Sequence, residues 1–191
     1  MAREEPPARG GLTVVTGGGS TETSTGQRTG EAEAWPRALV LLLSGPNLGV
    51  LGQRQPEVYG HDTLADHVHR ATLAAAEWDL AVEHVQSDYE GALVEAVLGA
   101  RGRVAAIVVN PGALTHYSWS LSDALACFDG PVIELHLSNP GRREGWRRRS
   151  VVTPVATGVI AGFGGEGYRL AIEAAAALLH SAEHPSTPPG R

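Results

Sequence analysis

Ala38-Leu39-Val40-Leu41-Leu42-Leu43-Ser44-Gly45-Pro46-Asn47 is an apolar run that ends in a turn. A short apolar stretch bounded by Ser, Gly and Pro reads as a strand buried on both faces, the pattern of a parallel sheet. The chain continues through Leu48 to Gly60, where Gly45, Gly49 and Gly52 with Pro46 and Pro56 oppose both helix and strand until about Thr63. A loop this long after a buried strand is usually functional or disordered. This one carries Asn47, Arg54 and Tyr59. A nearby cation favours phenolate over phenol, so an Arg close to a Tyr can turn the Tyr into a base. The loop is therefore read as a catalytic lid that carries its own base.

Outward from this strand, the same rhythm repeats. Apolar runs at Ala81–Gln86, Val104–Asn110, Val132–His136 and Val155–Ile160 read as further strands. Helical spacing appears at Leu64–Glu77, Tyr89–Ala100, Trp119–Phe128 and Gly167–Leu179, with a short helical piece near Glu144–Arg149. Buried strands separated by amphipathic helices predict an α/β fold, a flavodoxin-like doubly wound five-stranded parallel sheet in a single domain. That domain is expected to span residues 37–181. Residues 1–36, rich in Gly, Thr, Ser, Glu and Pro, read as a disordered or weakly ordered extension, and 182–191 as a flexible tail.

Composition narrows the function. With 191 residues, 42% apolar and 19% charged, the chain resembles an ordinary soluble globular protein. A formal net charge of −6 argues against a general nucleic-acid binder, which draws its affinity from neutralising phosphates. No apolar stretch is long enough for a membrane span, and the N-terminus lacks the basic-then-apolar form of a signal peptide; a cytoplasmic protein is expected. Cys127 is the single cysteine, expected to be a small buried hydrophobe on its helix. All 15 basic residues counted as Lys plus Arg are arginines, so Schiff-base chemistry on a lysine is excluded.

In doubly wound sheets, ligands bind outside the carboxyl ends of the strands. The polar residues of this chain gather there: Asn47 after the first strand, Gln86-Ser87-Asp88 after the second, Asn110 to His116 after the third, and Glu134 to Asn139 at the fourth. His116 follows a Pro-Gly turn, where it either serves a ligand or packs the turn. Glu134 and His136 are two apart on a strand and so share a face. Such a pair suits a general acid or base whose tautomer is fixed by a carboxylate, and equally a buried structural pair. Arg142-Arg143 and Arg147-Arg148-Arg149 form either a solvated turn or an anion-binding wall. No His or Cys spacing supports a metal, and no phosphate-loop or dinucleotide motif is present, so no cofactor is expected.

Four blocks in order resemble the type II 3-dehydroquinate dehydratases: Gly45-Pro46-Asn47-Leu48 with Gly52-x-Arg54-x-Pro56-x-x-Tyr59-Gly60, then Gln86-Ser87-Asp88, then Asn110-Pro111-Gly112-Ala113-x-Thr115-His116, then Glu134-x-His136-x-Ser138-Asn139. The resemblance covers about residues 38–179. It implies reversible loss of water from 3-dehydroquinate to 3-dehydroshikimate by anti elimination through an enolate, in the shikimate or quinate pathway. It makes Tyr59 the base, Arg54 its activating cation, His136 the general acid supported by Glu134, and Asn47 the enolate stabiliser. Asn110, His116, Leu137, Ser138 and Arg147 are implied to bind substrate, with Asp123 the acidic residue lent by a neighbouring subunit. A homo-oligomer, a dodecamer built from trimers, is implied as well.

Ser44, Gln55, Ser122 and Gly141 depart from the commonest family pattern. The alternative reading is an inactive flavodoxin-like binding or regulatory paralogue, which has no need of both a base and an acid.

Overall fold

The computed structural model describes residues 13–16, 38–53 and 61–183; Arg54, Gln55 and Tyr59 lie outside them. The strand pattern and the helical stripes resolve into alternating elements. These are β1 (Thr13–Thr16), β2 (Ala38–Ser44), α1 (Leu64–Glu77), β3 (Leu80–Gln86), α2 (Glu90–Ala100), β4 (Ala106–Asn110), α3 (Trp119–Ala126), β5 (Val132–His136), β6 (Gly158–Ala161) and α4 (Glu166–Glu183).

The strands lie in the order β1-β3-β2-β4-β5-β6. From β3 to β6 every pairing is parallel, which gives the five-stranded sheet. β1 adds an antiparallel edge strand, Thr13 opposite Gln86 and Thr16 opposite Glu83, in a segment expected to be disordered or weakly ordered. At the other boundary α4 continues to Glu183, four residues beyond its expected end at Leu179. β6 starts later than the apolar run at Val155 suggests, because Thr153–Val155 forms a 3₁₀ turn with Pro154 inside it.

Alternation within the apolar strands builds two cores. Val40, Leu42, Val108, Ile133 and Leu135 face α1 and α4 through Ala71, Ala75, Ala171, Ile172 and Ala175. Leu41, Leu43, Ile107, Val109 and Val132 face α2 and α3 through Leu93, Val97, Leu121 and Leu125. Small residues on α1 and α4 let those helices approach the sheet closely, which is why so many alanines are fully buried. Thr63 and Asp66 start α1 with a reciprocal capping box, worth about 1 kcal/mol.

On α3 the core stripe is Leu121, Ala124 and Leu125, continued past the helix end by buried Phe128. Cys127 falls off that stripe, at the C-cap of the helix, and is exposed; the expectation of a buried cysteine is corrected.

The connection from β2 runs through α1 on one face, and that from β4 runs through α3 on the other. Between the carboxyl ends of these neighbouring strands the chain diverges, leaving the crevice of a topological switch point. The loops there are packed tightly. Gly45 N–H donates to the Asn110 carbonyl at 2.8 Å, and a Cβ on Gly45 would sit 2.6 Å from the Pro111 carbonyl oxygen.

Candidate active site

A cavity of about 170 Å³ opens at this crevice. Asn47, Asn110, His116, His136, Leu137, Ser138 and Arg147 line it, joined by Pro46, Leu48, Leu51 and Arg143. Among the described residues that line it there is no Asp or Glu, whereas two histidines and two arginines are present. Such a wall favours an anionic ligand.

The chemistry centres on β5. Glu134 and His136 point to the same side of the strand, and His136 Nε2 meets Glu134 Oε1 at 2.8 Å. Glu134 is fully buried, at 0% exposure. Thr115 and Thr153 also donate their hydroxyls to it, and Ser150 Oγ does so at 2.9 Å. Burial by itself raises this carboxyl. The hydrogen bonds from His136, Thr115 and Thr153 outweigh that cost and hold it below the usual carboxylate range. An ionised Glu134 thus fixes Nε2 as a donor and leaves Nδ1 of His136 for a ligand.

Sequence reasoning did not assign Thr115, Ser150 and Thr153 this role. A fully buried carboxylate demands several donors, and that demand was the available signal. Thr115 stands next to His116, but Ser150 and Thr153 arrive from a distant turn.

His116 Nδ1–H donates to the Arg149 carbonyl at 2.8 Å, leaving Nε2 as the nitrogen available to a ligand. Its ring meets Trp146 edge-on, with centroids 5.6 Å apart. Trp146 in turn carries the Arg147 guanidinium 4.0 Å from its ring centroid. Glu144 Oε2 forms an ion pair with Arg147 Nε at 3.3 Å. Arg147 is therefore held by one indole and one carboxylate. Arg143, unassigned from the sequence, also reaches the cavity.

On the opposite side, Asn110 is buried and its Oδ1 accepts the Gly112 N–H at 3.3 Å. Behind it lies Tyr168 of α4, fully buried and stacked on His67 at 5.0 Å with an 8° interplanar angle. Burial pushes the Tyr168 hydroxyl up to about 12, moderated by Asn110 and Ser44, so it stays a neutral phenol and cannot serve as a base near neutral pH. His84 Nε2 and Ser44 Oγ complete this buried polar layer at 3.1 Å.

Asn47 starts a 3₁₀ turn with φ 66° and ψ 1°. Asp123 sits exposed on α3 and does not line the cavity within one chain. Ser122 is buried and donates to the Val151 carbonyl at 2.8 Å. Among the described residues no group of three or more His, Cys, Asp and Glu is placed to hold a metal ion. No described helix is long and apolar enough to cross a membrane.

The sequence pattern described as Dehydroquinase class II matches residues 38–176. A 3-dehydroquinate dehydratase of Cereibacter sphaeroides strain KD131 is 52% identical over 133 residues, covering 70% of this chain and 90% of that protein. One of Corynebacterium glutamicum strain R is 49% identical over 139 residues, covering 73% of this chain and 96% of its own. The crystal structure of type II dehydroquinase from Propionibacterium acnes superposes with a TM-score of 0.70 at 41% identity, covering 73% of this chain and 96% of that one. Sequence match, fold and relatives agree, and the chain belongs to the class II dehydroquinase family.

Proposed function

We propose that this chain is a hydro-lyase that dehydrates 3-dehydroquinate to 3-dehydroshikimate, reversibly, in the shikimate or quinate pathway. The observation that carries the reading is the buried, hydroxyl-clamped Glu134 bonded to His136 at the edge of a cavity whose described lining residues include histidines and arginines but no carboxylate. Such a pair is built to deliver a proton into an anion-binding site.

In the proposed mechanism, Tyr59 as phenolate, favoured by Arg54, removes the proton alpha to the ketone. The electrons move onto the carbonyl oxygen as an enolate, which Asn47 stabilises directly or through water. The enolate then collapses with loss of the beta hydroxyl, and His136 gives that hydroxyl its proton so that it leaves as water. Glu134 keeps the imidazole aligned and balances its charge while it is protonated. Arg147 binds the substrate carboxylate with its planar fork, and Asn110, His116, Leu137 and Ser138 hold the ring and its hydroxyls.

The family resemblance further supports a homo-oligomer, a dodecamer of trimers, in which Asp123 approaches a neighbouring site. It also supports a cytoplasmic location. An inactive binding module gains nothing from a clamped acid, and no feature of the site favours one.

The test is direct. Purified protein is mixed with 3-dehydroquinate, and absorbance of the conjugated enone is followed. Turnover is expected, and none from the intact assembly sinks the reading.

A further inference from the structure

We infer that Asp88 is a positioning residue that holds Asn47 in its working conformation; this rests on the reading of Asn47 as the enolate stabiliser. Among the described residues Asn47 and Asp79 are the non-glycine positions with positive φ. Left-handed backbone is unfavourable for residues with a side chain; Asn is one of the few that adopts it, and surrounding bonds help to keep it there.

The bond that holds it comes from another loop. Asn47 N–H donates to Asp88 Oδ1 at 2.8 Å, across 41 residues of sequence. Asp88 lies just past the carboxyl end of β3, and Gln86 Nε2 at that end donates to the same oxygen at 3.2 Å. Gln86 is itself seated against the turn, because a Cβ on Gly49 would lie 3.4 Å from its Oε1. The Asn47 side chain caps nothing in the turn that it begins. Its amide therefore remains available to the cavity, aimed by a backbone bond rather than by its own side chain.

A carboxylate oxygen is a stronger acceptor for an N–H than water, and its loss costs little elsewhere because Asp88 is exposed. Asp88 is not among the described residues that line the cavity; its hydrogen bond reaches one that is, Asn47. Its removal should therefore disturb the enolate more than substrate binding.

The experiment measures kcat, KM and thermal melting for wild type, Asp88→Ala, Asp88→Asn, Asn47→Ala and the Asn47→Ala/Asp88→Ala pair. Asp88→Ala is expected to lower kcat about tenfold, the scale of a lost charge-assisted hydrogen bond, with KM within about twofold and folding intact. Asp88→Asn keeps the acceptor oxygen and should restore most of kcat. The double variant should be no slower than Asn47→Ala alone, because the two residues act as one unit. Wild-type kcat in Asp88→Ala overturns the inference, as does an equal further loss in the Asn47→Ala background. Full activity in Asn47→Ala removes the reading of Asn47 itself, and the anchor with it. A slow Asn47→Ala beside a normal Asp88→Ala removes the anchor alone.

Discussion

His136 Nε2 donates to Glu134 Oε1 across 2.8 Å, and nothing of Glu134 is exposed to water. A carboxylate so deeply placed is tolerable only because four side chains bond to it. Glu134→Gln brings an NH₂ into a nest of hydroxyl donors, so at least one bond fails and the imidazole loses its counter-charge. We expect kcat to fall about 10- to 100-fold, the scale of a hydrogen bond to a charged group, with KM changed less. Steady-state kinetics on the enone product check this. A kcat near wild type contradicts the proposed role of the pair.

Arg147 depends on its fork and on its stack against Trp146. Arg147→Lys keeps the charge but loses both the bidentate geometry and the planar face. It is expected to raise KM about tenfold and to resemble Arg147→Ala more than wild type. Trp146→Ala should have a smaller effect, about two- to fivefold on KM, in line with a partly exposed cation–π contact. Equal KM values for Arg147→Lys and wild type argue against carboxylate binding at this residue.

The sequence made the scaffold readable because each strand had to be buried on both faces and each helix on one. The run Ala38–Leu43 could have no other home, and Leu64–Glu77 begins and ends where its cap and stripe predict. The pairing of Glu134 with His136 was equally legible, since two residues two apart on a strand must share a face. What stayed hidden depends on folding in three dimensions. Thr153 reaches Glu134 from 19 residues away, Trp146 orders Arg147 by stacking, and Asp88 finds Asn47 only because β3 and β2 are neighbours. Cys127 was misplaced because helical spacing identifies a stripe, and the cysteine lies one position off it.

Tyr168 being a fully buried neutral phenol sharpens the expectation for Tyr59, the tyrosine proposed as base. Tyr59→Phe removes only the hydroxyl. It should lower kcat by about 10²–10⁴-fold, the usual contribution of a general base, while calorimetry still detects substrate binding. Near-normal turnover in this variant makes the base assignment wrong.

The acid limb of stability should trace to His84. Burial pushes its imidazole from the usual 6.5 down to about 4. Below pH 6.5 the unfolded chain takes up a proton that the folded protein refuses until about pH 4. Folding thus loses stability as pH falls through that window, by roughly 3 kcal/mol from this group. His67, lowered by burial and by Arg70, acts in the same direction. Glu134 takes over at more acid pH: its contribution is present above 4.5, and is lost as pH falls through its depressed folded value. His84→Gln retains a partner for Ser44 but does not titrate. Urea unfolding at intervals between pH 7 and 4 should therefore give a flatter stability curve for His84→Gln than for wild type, with wild type falling relative to the variant toward the acid end. An unchanged slope between pH 6.5 and 4 assigns the acid limb to other groups.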